Sequence, residues 1–245
     1  MSSTKVHIVA TDKIPSTICD FVADRSKSAI AERGAFYIGV SGGSAAKLLC
    51  QGLPAIQGVQ WDKWHVYFCD ERLVPFDNPE STYTIYKEGL IGKTSLPLEQ
   101  IYAIKPELSV EDAAKDYADK VSKVPTGDGR DKPTFDLLVL GMGPDGHTCS
   151  LFPGHKLLQE TSVLVAPISD SPKPPPCRVT LTYPVINAAR SAMFVSAGAG
   201  KADMLQRVLE GKEEPSLPAA RVKLHNGELH WFIDQPAAGK LQAKY

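Results

Sequence analysis

The residue best suited to move a proton in this chain is His147, in the run Gly141-Met142-Gly143-Pro144-Asp145-Gly146-His147. Imidazole takes up and returns a proton near neutrality, which fits it to general-base work. Asp145, two positions before it, is a carboxylate able to fix the ring tautomer and stabilise its cation. The glycines let the backbone turn sharply after the apolar run Phe135–Leu140, so that both side chains are presented together. Alone, His147 reads equally as an ordinary loop histidine; beside Asp145 at the end of a strand it reads as a base. A second set is cationic. Arg72, Arg178 and Lys201 each fall at a junction between a predicted element and a loop, where they could surround an anion. Lys201 stands in Ala199-Gly200-Lys201-Ala202, at the start of a predicted helix. A cation there opposes the helix dipole, and a bound anion would compensate.

Two further motifs admit more than one reading. Gly39-Val40-Ser41-Gly42-Gly43 satisfies G-x-S-x-G between a strand and a helix, as the nucleophile elbow of a serine esterase does. The same arrangement makes a phosphate cradle from free backbone N–H groups, with Ser44 adding a hydroxyl, and this reading is preferred. Gly141-Met142-Gly143-Pro144-Asp145-Gly146 satisfies G-x-G-x-x-G, the dinucleotide fingerprint. Asp145 would put a carboxylate where a pyrophosphate should lie, and Pro153 ends any helix from Gly146 after about two turns. No nicotinamide cofactor is expected. Metal binding is rejected as well: His147 and His155 are eight positions apart, without an H-E-x-x-H or cysteine cluster beside them. His225 and His230 are read as structural.

The elements that must hold these residues alternate between strand and helix. Strands are expected at Val6–Ala10, Ala35–Val40, Trp64–Cys69, Phe135–Leu140, Val163–Ile168, Arg178–Leu181 and Ala192–Ser196. Helices are expected from Ile14 through Ile30, over Ala45–Cys50, from a Ser109 cap to about Val124, and over Lys201–Leu209. Asp70-Glu71-Arg72 and Thr126–Pro133 read as polar loops. Asn226-Gly227 before Leu229–Ile233 signals a hairpin turn. Pro172-Lys173-Pro174-Pro175-Pro176 matches a P-x-x-P ligand, but is preferred as a stiff loop feeding the Arg178 strand. The pattern predicts an α/β fold: an open, mostly parallel, Rossmann-like sheet, helices on both faces and a small C-terminal hairpin, in one domain over 1–245. Ligands bind beyond the carboxyl ends of such strands. The loops after Val40, Cys69, Leu140, Leu181 and Ser196 are therefore expected to converge.

Composition bounds the rest. The 245 residues are 43% hydrophobic, enough for a large core. Lys and Arg number 27 against 28 Asp and Glu, a balance that argues against a general nucleic-acid binder but leaves room for one local cationic pocket. Five dispersed cysteines, none in a C-x-x-C pair, suggest a reducing compartment rather than a disulfide framework. No apolar run approaches the roughly 20 residues a membrane helix needs. A cytoplasmic protein with no membrane association and no obligate protein partner is expected.

The sequence resembles the 6-phosphogluconolactonase family, in the superfamily that includes glucosamine-6-phosphate deaminases, over essentially its whole length. The resemblance is carried by Gly39–Ser44, Phe68-Cys69-Asp70-Glu71-Arg72-Leu73-Val74-Pro75, the run from Gly141 through His147-Thr148-Cys149-Ser150-Leu151-Phe152-Pro153, and Ser169–Pro176. It implies hydrolysis of 6-phospho-D-glucono-1,5-lactone in the oxidative pentose phosphate pathway, with neither cofactor nor metal. It implies His147 as the base, Ser41, Gly42, Gly43 and Ser44 as the phosphate loop, Arg178 and Lys201 as its cations, and Arg72 as a pocket arginine. Asp70, Asp145 and His147 also match positions of the deaminase relay. That relay's glutamate corresponds here to Phe152, whose ring cannot pass a proton, so the resemblance favours lactone hydrolysis over isomerisation and deamination. Whether Arg72 or backbone N–H groups face the oxyanion is left open.

Overall fold

The computed structural model describes residues 3–127, 129, 131–211 and 217–245. The Met1-Ser2 opening, and Asp128 and Arg130 of the Thr126–Pro133 loop, lie outside the described residues. Six strands form a wholly parallel sheet: β1 (Ser3–Val9), β2 (Phe36–Val40), β3 (Trp64–Phe68), β5 (Leu137–Leu140), β8 (Ser191–Ser196) and β9 (Glu228–Asp234). Their order is β1-β9-β8-β5-β2-β3. β5 is fully buried along its length, which is why its sequence is an unbroken apolar run and not an alternating one.

The helices are α1 (Ile14–Arg33), α2 (Ser44–Gly52), α3 (Thr82–Leu90), α4 (Val110–Val121) and α6 (Ala202–Glu210), with single turns α5 (Tyr183–Ile186) and α7 (Gln235–Ala238). Ser109 caps α4 as expected, its hydroxyl accepting the Asp112 N–H at 3.1 Å. α3 is absent from the sequence reading, because Thr82-Tyr83-Thr84-Ile85-Tyr86 is rich in β-branched and aromatic residues. Its start is fixed by tertiary structure instead: Glu71 accepts the N–H groups of Thr82 and Tyr83, and Ser81 accepts that of Thr84.

Three expectations are corrected. Asp70-Glu71-Arg72 is not a loop but a strand, β4 (Asp70–Arg72), in a second sheet ordered β4-β7-β6 with β7 (Arg178–Leu181) and β6 (Val165–Ile168). Both pairings in that sheet are antiparallel, so the start of β7, not the loop after Leu181, reaches the ligand edge. Finally, the described residues form no C-terminal hairpin. β9 lies between β1 and β8, parallel to both. Gly227 is needed for close approach rather than for a hairpin turn, since a Cβ there would lie 2.6 Å from the carbonyl oxygens of Ala189 and Arg190.

Candidate active site

The carboxyl ends of β2, β5 and β8, roofed by β4 and the start of β7, enclose a cleft of about 330 Å³. Ser41, Gly42, Gly43 and Ser44 form one wall, and Asp70, Arg72 and Arg178 another. His147 and Lys201 also face it. Asp145 stands behind the imidazole. The ten residues singled out from the sequence are thus gathered in one place, although they span 160 positions from Ser41 to Lys201.

The proton-transfer pair is built by the loop leaving β5. Asp145 Oδ1 lies 2.5 Å from His147 Nδ1, and the Gly143 N–H donates to the His147 carbonyl at 2.9 Å. Gly143 is obligatory in this turn, because a Cβ would lie 2.1 Å from the ring atoms of His147. Phe152 packs on the other part of the imidazole, ring centroids 4.8 Å apart. With Nδ1 taken by Asp145, Nε2 is the nitrogen free to accept a proton; it makes no hydrogen bond among the described residues. Burial lowers the His147 pKa, Asp145 opposes this, and the positive charge of Lys173 adds to it, leaving the ring below its ordinary value. Such a ring is neutral at pH 7 and ready to accept a proton. Burial raises the Asp145 pKa, but the hydrogen bonds from His147 and Lys173 outweigh it and hold the carboxylate ionised.

Lys173 was not singled out from the sequence. Its ammonium lies 3.1 Å from Asp145 Oδ1 and 3.3 Å from His147 Nδ1. It is carried there by the proline run, which forms a loop beside the site. The available signal was a lysine inside that run, five positions upstream of a pocket arginine.

Strand alternation explains the β4 side chains. Asp70 and Arg72 face the cleft, while Glu71 points the opposite way beneath α3. Asp70 accepts the Ser150 hydroxyl at 2.8 Å. Arg72 is paired with Glu80 at 2.9 Å. Burial raises the Glu71 pKa to about 7 against the pull of the Thr82, Tyr83 and Arg72 N–H groups.

The cations are differently engaged. Arg178 is 3% exposed and sits directly opposite Arg72 in the β4–β7 register. Like charges so placed repel, and an anion between them would relieve this. The Arg178 Nε and Nη2 groups donate to the carbonyls of Pro175, Lys173 and Pro174, and its guanidinium lies 5.7 Å over the Phe152 ring. Lys201 donates to the Met142 carbonyl at 2.7 Å. Burial, then the nearby Lys173, lowers its pKa. Opposite these cations, α2 starts at Ser44, with Gly43 as its N-cap and no side-chain cap. Its first-turn N–H groups are therefore available to an anion.

The competing motif readings separate here. Ser41 Oγ is buried and has no hydrogen-bond partner, so no base is hydrogen-bonded to it. Cys149 is the one described non-glycine residue with positive φ, so Ser41 lacks the strained backbone of a nucleophile elbow. His155 bonds Asp170 and caps a short turn through Leu157 rather than joining His147. Among the described residues, no three His, Cys, Asp or Glu side chains gather as a metal site.

A parallel sheet with an acid–histidine pair and a cation-lined cleft at its carboxyl edge defines an α/β site suited to proton transfer on a small anionic ligand. The family model for glucosamine-6-phosphate isomerases/6-phosphogluconolactonase matches residues 10–231. The 6-phosphogluconolactonase of Homo sapiens is 50% identical over 241 residues, covering 96% of this chain and 93% of that protein. That of Rattus norvegicus is 50% identical over 238 residues, covering 95% and 91%. The solved structure of 6-phosphogluconolactonase from Thermotoga maritima superposes with a TM-score of 0.82 at 25% identity, covering 95% of this chain and all of that one. The chain belongs to the glucosamine-6-phosphate isomerase/6-phosphogluconolactonase family.

Proposed function

We propose that this cleft hydrolyses 6-phospho-D-glucono-1,5-lactone to 6-phosphogluconate, the oxidative pentose phosphate step, with His147 as the base that activates water. The observation that carries the chemistry is the open Nε2 of a ring held neutral by burial and oriented by Asp145 through Nδ1. The 50% identical relatives, named 6-phosphogluconolactonase, supply the substrate.

The 6-phosphate is taken by the amides from Gly42 to Ser44, where the loop enters α2, with Lys201 and Arg178 supplying charge. Binding energy from that remote end holds the lactone carbonyl before His147. Water loses a proton to Nε2 as its oxygen attacks C1, and the resulting imidazolium returns the proton to the departing ring oxygen. Asp145 stabilises the charged ring between those events. Arg72, facing the cleft, and backbone N–H groups are the donors within the site for the oxyanion. Asp70, fixed by Ser150, faces the sugar hydroxyls. The position of Phe152 supports hydrolysis over deamination: its ring, tilted against the imidazole, contributes no proton-relay group. The free cysteines support a cytoplasmic setting for the reaction.

The test is a hydrolysis assay with phosphorylated and unphosphorylated gluconolactone, corrected for spontaneous opening. Wild type is expected to prefer the phosphorylated lactone strongly, and Lys201→Ala to raise KM for that substrate while leaving the other unaffected. Equal turnover of both lactones would remove the phosphate anchor from this reading.

A further inference from the structure

We propose that Lys173 is a third member of the proton-transfer group, a positioning residue that clamps Asp145 against His147 Nδ1 and keeps a fixed positive charge behind the imidazole. This rests on His147 being the base.

The ammonium touches both partners at once, 3.1 Å from the carboxylate and 3.3 Å from the ring nitrogen. Its position is built by the loop that bears it. The Arg178 Nη2 donates to the carbonyls of Lys173 and Pro174, and Nε to that of Pro175, all within 3.1 Å. Ser171 accepts the Lys173 N–H and donates to the Lys173 carbonyl. The flanking prolines restrict φ, so few backbone alternatives remain. Arg178, almost wholly buried, is therefore the strut that seats Lys173 as well as a cation near the cleft.

The charged groups facing His147 are Asp145 from its own loop, Lys173 from the proline loop and Asp70 from β4. Lys201 faces the Lys173–Asp145 pair, and Arg178 reaches the Phe152 ring that packs on the imidazole. The carboxylates favour the imidazolium. Unopposed, they would leave more of the base already protonated near neutrality. Lys173 is the opposing charge on the Nδ1 side. There it can act on the ring without occupying the Nε2 side where water is activated. It also gives Asp145 a second donor, so the carboxylate cannot turn away from the ring.

The experiment is an NMR titration of the histidine Cε1–H signals in wild type, Lys173→Met and Lys173→Arg, with pH profiles of kcat/KM. The chain has six histidines, and the His147 signal is identified by its loss in His147→Gln. In Lys173→Met the His147 signal and the acid limb of kcat/KM are expected to move together to higher pH, with kcat reduced on the order of tenfold or more. Lys173→Arg should keep both near wild type. The other histidine signals report whether each variant is folded, and Lys173→Gln serves if the Met variant is not. A lowered kcat with the His147 titration unmoved would make Lys173 a prop for the loop and overturn the proposal. Wild-type turnover in His147→Gln would instead overturn the base assignment, and this proposal with it.

Discussion

His147 and His230 invite comparison because burial lowers the pKa of both, yet their surroundings have opposite consequences. His230 projects from β9 beneath α1, 2% exposed, with Nδ1 3.0 Å from His7 Nε2 and Nε2 near Arg25 and Glu228. Its ring stacks with His7 at 5.3 Å and tilts against Phe21 at 4.7 Å. Both nitrogens are occupied and the ring serves packing. At His147 one nitrogen is committed to Asp145 and the other faces a cleft. Desolvation keeps both rings neutral; an open nitrogen beside an ionised partner is what distinguishes a base from a core residue.

Substituting each ring in turn is the strongest way to break this comparison. His147→Gln should lower kcat by roughly two to four orders of magnitude, with thermal stability near wild type. His230→Gln should cost on the order of 1–3 kcal/mol of stability and leave turnover of the folded protein near wild type. Denaturation and steady-state kinetics on both variants check this. Turnover lost in His230→Gln at full folding would erase the distinction.

A gentler probe leaves both rings in place. The Gly143 Cα lies against the imidazole, and the added methyl of Gly143→Ala would fall 2.1 Å from it. The ring or the loop must shift. Displacements of about 1 Å at reacting groups cost about a hundredfold, so Gly143→Ala should lose roughly that much kcat. The His230 cluster should be unaffected in its NMR signals. Wild-type kcat in this variant would show that the base tolerates displacement.

How legible these regions were follows from the range of the interactions that form them. Asp145 and His147 are two residues apart on a glycine-rich turn after an obvious buried strand, so the pair could be read from local sequence. Lys173 meets the same ring from 26 positions away. It arrives only because β7 runs antiparallel to β4 and β6, and a four-residue strand shows no direction in its sequence. Helix α3 went unread for a similar reason: its start is fixed by Glu71, eleven and twelve residues upstream of the N–H groups it binds. At Asn226-Gly227 a valid hairpin signal was misleading, because the glycine answers to the carbonyls of Ala189 and Arg190. The parallel order of the main sheet, by contrast, followed from repeated strand–helix alternation.

The smallest effect concerns acid. Burial, reinforced by the positive charges of Arg25 and His7 and opposed by Glu228, holds His230 at about 4 against 6.5 in an unfolded chain. The unfolded state therefore gains a proton on this residue before the folded state does. Stability from His230 is fully present above about pH 6.5, falls as pH drops, and is gone below about 4. The difference in unfolding free energy between wild type and His230→Gln should accordingly shrink between pH 7 and 5, by an amount on the order of 2 kcal/mol. His147→Gln isolates the corresponding contribution of the site imidazole, which Asp145 partly restores toward its ordinary value, so its slope should be the shallower of the two. Urea unfolding of the three proteins at pH 7, 6 and 5 measures both slopes. A steeper slope from His147 would mean that Asp145 offsets little of the desolvation at the ring that faces the cleft, and would make it the more buried of the pair in energetic terms.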